Sequence, residues 1–189
     1  REAVRQVLLP LWSTYYFLSL YAGAADGGAG YRAQAVVAER VAGLEPMDRY
    51  VLARTRDLVD RVTAQMEAYD VAGACESVRT HLDVLTNWYV RTQRQRFWDE
   101  DHDAFDTLWT ALEVLLRVMA PLAPLVAEEV WRGLTGGRSV HLTDWPVVDT
   151  RAVPDLVAAM DQVREVVSAA LGLRKAHGLR VRQPLRELT

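Results

Sequence analysis

The twelve residues from Asn87 to Trp98 (Asn-Trp-Tyr-Val-Arg-Thr-Gln-Arg-Gln-Arg-Phe-Trp) combine three arginines, four aromatic rings and two glutamines with no acidic residue. Guanidinium groups grip phosphates in a two-pronged fork and flat rings stack on unpaired bases, so this mixture suits single-stranded RNA. The same residue types also have a purely structural use. Trp and Phe at helical spacing usually fill a core, and an exposed arginine is usually a solvated charge. What favours RNA is the lack of compensating acid within the segment.

A helix must carry these side chains. Val71, Cys75, Val78, Leu82, Leu85 and Tyr89 recur every three or four residues, the apolar stripe of a helix laid on a core. Continued at about 100° per residue, that helix places Arg91, Arg94 and Trp98 on one face, turned from the stripe by roughly a quarter to a half turn.

The rest of the chain predicts companion helices. One runs from about Arg5 to Tyr21 and buries Val7, Leu8, Leu11, Tyr15, Leu18 and Ala22, with Pro10 marking a kink or a late start. A glycine-rich loop follows from Ala22 to Gly30, and a loosely held short helix is expected over Tyr31 to Gly43 before Pro46. Asp48 is expected to cap the next helix, which buries Val51 or Leu52, Thr55, Leu58 or Val59, Val62, Met66 and Tyr69, and Asp70 to cap the one after it.

After Trp98 an acidic turn (Asp99, Glu100, Asp101, Asp103) opens a helix burying Leu108, Leu112, Leu115 or Leu116 and Met119. Pro121 and Pro124 end it. A further helix through Val126, Val130 and Leu134 stops at Gly136, and Ser139 to Pro146 should lie extended across the bundle end. A last helix from about Pro154 to Ala176 leads to Leu179–Leu185, which alternates like a strand. The fold expected is therefore mainly all-α: a bundle over 1–146 with a flexible loop at about 22–47, then a C-terminal helix and short extended segment over 147–189. The unpaired strand and the leaderless first helix suggest a piece of a longer chain.

Composition narrows the function. The chain has 189 residues, half of them apolar, enough for one domain with a real core. No apolar run is long enough to span a bilayer and the first residues lack a signal-peptide pattern, so a soluble cytoplasmic protein is expected. The single cysteine, Cys75, rules out an internal disulfide and a cysteine-built zinc site, and its place on the stripe suggests filler. A net charge of −3 and a pI near 5.8 argue against coating nucleic acid by bulk charge. His81 with Asp83, and His102 among acids, lack the helical ligand spacing of metal sites. No metal site and no catalytic residue are expected.

Five blocks in order carry a family resemblance. Asn87-Trp88-Tyr89-Val90-Arg91 with Arg94, Arg96, Phe97 and Trp98 resembles the anticodon-binding helical domain of isoleucyl-tRNA synthetase, a class I aminoacyl-tRNA synthetase. Val7-Leu8-Leu9-Pro10-Leu11-Trp12 with Tyr21-Ala22 resembles that domain's first helix, and Ala120-Pro121-Leu122-Ala123-Pro124 with Glu128-Glu129 its Ala-Pro block. Val140–Pro146 and the tail Arg174–Leu185 are similar to its following segments. Only Asp26 to Leu44 falls outside the match.

The resemblance implies a domain that holds the anticodon arm of isoleucine tRNA beside the parent enzyme's catalytic domain, as a monomer and away from membranes. ATP and Mg would serve that catalytic domain, and zinc other parts of the parent, none of it within these residues. The fragment alone should not activate isoleucine. The tRNA-binding motif carried over is Asn87, Trp88, Tyr89, Arg91, Arg94, Arg96, Phe97 and Trp98, where Trp88 and Tyr89 could instead be scaffold. Thr92 and Gln93 depart from the more basic family pattern, which implies a weaker grip. Arg180 and Arg182, in a second cluster with Arg174, Lys175, His177 and Arg186, are either the solvated side of a strand or a continuation of the RNA path. Two alternatives remain: the equivalent domain of the valine, leucine or methionine enzyme, or a helical protein-interaction module using Trp12, Tyr15, Tyr16 and Phe17.

Overall fold

The protein is described by a computed structural model for residues 2–148 and 153–184. Among the described residues it is helical without a strand: α1 (Leu9–Ala24), α2 (Ala38–Val41), α3 (Pro46–Glu67), α4 (Val71–Asp83), α5 (Arg94–Trp98), α6 (His102–Met119), α7 (Pro124–Thr135) and α8 (Pro154–Ala176). The chain forms two compact units, Arg1–Ala152 and Val153–Thr189. No helix among the described residues is long and apolar enough to cross a membrane.

In the first unit α6 is the central rod. Phe105, Leu108, Leu112, Leu115, Leu116 and Met119 are all buried along it, with α1, α3 and α7 packed around. Asp101 starts α6 by accepting from the Asp103 and Ala104 amides, which satisfies two donors left open at a helix start. Asp70 caps α4 in the same way through the Gly73 amide. Pro10 lies inside a continuous helical run, directly after a π turn over Val4–Leu8, and that widened turn is where a residue without an amide donor is accommodated. Gly136, at φ 67°, closes α7 in the left-handed conformation that glycine tolerates best.

Several expectations are corrected. Asp48 does not cap α3: the cap position belongs to Glu45, and Asp48 is fully buried one turn inside. On α4 the buried face is Ala74, Ser77, Val78, His81 and Leu82, whereas Val71 and Cys75 are exposed. The small residues Ala74 and Ser77 let α4 approach α3 closely, and Ser77 donates to Gln65 at 2.9 Å, so the stripe lies one position away from the bulkier residues. Tyr69 is exposed because the left-handed turn at φ 59° between α3 and α4 points it outward.

Residues 31–44 return over α6 under the control of one buried carboxylate. Asp106 accepts from the Tyr31 hydroxyl at 2.9 Å, the Gln34 amide at 2.8 Å and Arg40 Nη1 at 2.8 Å. The Val36 amide donates to Thr110 Oγ1 at 2.8 Å. These backbone donors are directed at α6, so the helix expected over Tyr31 to Gly43 is confined to α2. Val36, Val41 and Leu44 then close a small second core with Leu52. Near the end of the unit, Ser139 caps a short 3-10 turn over Val140–Leu142 in the stretch expected to be extended, and Trp145 Nε1 donates to Thr63 on α3 at 2.9 Å.

The second unit is built on α8, which buries none of its described residues. Gly178 at φ 65° turns the chain, and the Leu179 amide donates back to the Arg174 carbonyl at 2.8 Å. Arg174 Nη1 then donates to the carbonyls of Arg180, Val181 and Gln183 at 2.9, 3.0 and 2.8 Å. Those carbonyls are folded round a guanidinium, so residues 179–184 form a turn and not the expected strand. Leu185 and Arg186 lie outside the described residues.

Candidate nucleic-acid interface

The arginine-rich segment does not keep the phase of α4. A π turn over Val84–Val90 adds a residue to the helical turn, and the helix then breaks at Gln93 (φ −94°, ψ 7°) before α5 resumes. Arg91, Arg94 and Trp98 therefore do not share one face. Arg91 and Arg94 line a groove of about 470 Å³ whose opposite wall is the start of α1, whereas Trp98 lines a separate groove of about 450 Å³ with Leu20 and Tyr21.

The first groove is cationic. Arg5 enters it from the π turn before α1, opposite Arg91 and Arg94, and no acidic side chain is among its lining residues. All three guanidinium groups are exposed and none holds a carboxylate among the described residues. Arg40, Arg79, Arg96 and Arg132, in contrast, each pair with an acid. Asn87 is exposed at the same rim, its Nδ2 donating to Asp83 Oδ1 at 2.7 Å. Pro10, Phe17 and Val90 supply an apolar floor. The geometry offers fork donors for phosphate oxygens around a surface that ribose or a base can cover.

Trp98 presents a 71% exposed ring, edge-on to Tyr21 with centroids 6.4 Å apart. An exposed indole on a supported helix end has the flat face that stacking on an unpaired base requires.

The remaining residues of the motif are scaffold. Tyr89 and Phe97 are buried, and Phe97 meets Phe17, Phe105 and Tyr89 edge-to-face at 5.0, 5.5 and 6.3 Å. Trp88 is half-buried. Arg96 is the third arginine of the motif, yet it points inward. Its Nη1 and Nη2 donate to both oxygens of Asp48 at 2.9 and 2.8 Å, its Nε to Asp101 at 2.7 Å, and Glu45 lies at 3.6 Å. The acid missing from the segment is supplied from Asp48, on another helix, and from the turn before α6.

The Tyr89 hydroxyl donates to Asp48 at 2.6 Å and completes the cluster. Burial works against the Arg96 charge, but its hydrogen bonds to Asp48 and Asp101 outweigh it and hold its pKa above the usual guanidinium value. Burial also pushes the Asp48 carboxyl up, against the bonds from Arg96 and Tyr89, and burial with the neighbouring Asp48 drives Tyr89 well above an ordinary phenol. A buried pair of this kind fixes geometry and cannot be offered to a ligand.

Sequence reasoning misses Arg5 as a groove residue and Asp48 as the Arg96 partner. Neither has a local signal, since both meet the segment only through the packing of α1 and α3. In the second unit Arg180 and Arg182 are exposed and hold no carboxylate among the described residues, while Arg174 spends its charge on backbone carbonyls. No three His, Cys, Asp or Glu side chains converge among the described residues in a way that could hold a metal.

A helical unit with a carboxylate-free arginine groove beside an exposed tryptophan has the makings of an RNA-holding module. The family model of the anticodon-binding domain of tRNA ligase matches residues 48–189, and the chain belongs to this family. Across its whole length it is 55% identical to an isoleucine–tRNA ligase of Bifidobacterium longum and 56% identical to one of Mycobacterium tuberculosis, covering 18% and 17% of those proteins. It is likewise 55% identical to an isoleucine–tRNA ligase of Leifsonia xyli, again covering 17%. The chain thus spans less than a fifth of the curated relatives it matches.

Proposed function

We propose that this chain holds the anticodon arm of isoleucine tRNA as one domain of a cytoplasmic isoleucine–tRNA ligase, in which ATP-dependent attachment of isoleucine takes place outside these residues. The observation that carries the reading is the groove with Arg91 and Arg94 free of carboxylates in a chain whose overall charge is negative. Anticodon bases are unpaired and can be splayed onto rings and guanidinium planes while backbone phosphates bond to the forks. Asn87, Arg91, Arg94 and Trp98 are the residues assigned to that contact, with Arg180 and Arg182 extending it. Tyr89, Arg96 and Phe97 act behind them as positioning residues, and Trp88 is partly so.

The isoleucine-specific names of the relatives favour this reading over the valine, leucine and methionine counterparts. The four side chains of the interaction-module alternative do not share one exposed face: Trp12 and Tyr16 are exposed, but Phe17 packs on Phe97 and Tyr15 is half-buried beside Gly133 of α7. The exposed ridge of Leu9, Trp12, Tyr16 and Leu20 on α1 is assigned in this reading to contact with the catalytic part of the same ligase. Filter binding of isoleucine tRNA against a transcript with an altered anticodon, using this chain and the full-length protein, tests the proposal. Equal affinity of the full-length protein for both transcripts would remove the anticodon assignment.

A further inference from the structure

We propose that Arg5 is the third jaw of a phosphate clamp, closing on two consecutive phosphates of one RNA strand from the wall opposite Arg91 and Arg94. The inference rests on the RNA-binding reading above and adds to it a residue from a different part of the chain. Arg5 is carried on the π turn Val4–Leu8, which packs against α4, so its position relative to Arg91 is set by helix packing and not by sequence proximity. The groove between them, about 470 Å³, falls within the size of sites that enclose a small organic ligand, about 300–1,000 Å³.

Three fork-shaped cations on two walls, with no acid lining the space, match an anion with several oxygens better than a neutral base edge. Ser13 adds a hydroxyl to the same lining, and it makes no hydrogen bond among the described residues. Thr14 and Thr86, by comparison, donate back to their own helices. Asp83 borders an adjoining hollow of about 220 Å³ that shares Arg5 and Asn87 with the groove, and there it accepts from Asn87. The apolar floor of Pro10, Phe17 and Val90 suits the ribose between two phosphates.

The test uses the full-length protein and an isoleucine tRNA transcript in filter binding across a potassium chloride series. Arg5→Ala should weaken binding about tenfold at low salt, the scale of one charge-assisted hydrogen bond, and reduce the salt slope by about 0.7. Arg5→Lys should restore the slope while recovering only part of the affinity, because a point charge lacks the fork. Arg5 is exposed, so both variants should melt like the parent. Wild-type affinity and slope for Arg5→Ala, alongside weakened binding by Arg91→Ala with Arg94→Ala, would overturn the clamp and leave the RNA reading intact. Unchanged binding by all of these variants would overturn both.

Discussion

Arg96 and Asp48 meet across the core in a two-pronged pair, Nη1 to Oδ1 at 2.9 Å and Nη2 to Oδ2 at 2.8 Å, with Asp48 fully buried and the Arg96 side chain only 15% exposed. The pair joins the start of α3 to α5 and thereby fixes the short helix that bears Phe97 and Trp98. An arginine placed by its sequence neighbours among RNA-binding residues is in this molecule a bolt between helices.

Arg96→Ala should therefore act on stability. Removing one partner strands a buried carboxylate, which costs about 3–5 kcal/mol, whereas Arg91→Ala and Arg94→Ala, at exposed positions, should stay within about 0.5 kcal/mol of the parent. Chemical denaturation of the three variants checks the contrast. A mild effect of Arg96→Ala would mean the cluster is not held as described.

Tyr89→Phe keeps the ring but removes the hydroxyl that donates to Asp48. The loss should be about 1.5–3 kcal/mol, the usual scale for a hydrogen bond to a charged group. Affinity for tRNA should be preserved under conditions where the variant is folded, because the hydroxyl is buried.

For the groove, Arg91→Ala with Arg94→Ala should lower tRNA affinity at low salt and flatten the salt dependence by about 0.7 for each phosphate no longer neutralised. Trp98→Ala should behave differently. A stacked base is worth about 1–3 kcal/mol, and its loss should leave the salt slope nearly unchanged. Titrations of both variants at two ionic strengths separate the roles.

His81 gives the chain a pH dependence. Among the described residues its Nε2 has no hydrogen-bond partner, and burial, with Arg54 nearby, lowers its pKa to about 3; in the unfolded chain a histidine titrates at about 6.5. Between these values the unfolded state binds more protons. The contribution is thus fully present above the unfolded pKa and declines as pH falls toward the folded one, by up to about 1.4 kcal/mol per pH unit. His81→Leu should remove this slope. Melts of the parent and of His81→Leu compared between about pH 6.5 and pH 5 isolate the slope, because the carboxylates that burial raises, Asp48 among them, are common to both proteins.

The helices are legible in the sequence because their signals are local. Asp70 and Asp101 announce helix starts, Gly136 and Gly178 announce ends, and the leucines of α6 keep strict spacing. The site is legible only in part. Arg91, Arg94 and Trp98 reach the surface as their chemistry suggests, but the π turn and the break at Gln93 divide them between two grooves, and no residue type marks such a turn in advance. Arg96 reads as an RNA ligand because Asp48, which takes both of its terminal nitrogens, lies on another helix far back in the chain, while the nearby Asp101 reads as a helix start. The C-terminal alternation reads as a strand because periodicity does not register that Arg174 gathers three carbonyls into a turn.

The surplus residue in the turn over Val84–Val90 makes the aim of the downstream cations a matter of counting. Each residue gained or removed there shifts the helical phase beyond it by about 100°, so a single deletion would set the aim of Arg91 and Arg94 against the burial of Tyr89 and Phe97 on the same segment. Substitution can weaken the individual fingers of this grip, but only a change in chain length within that one turn would redirect the hand.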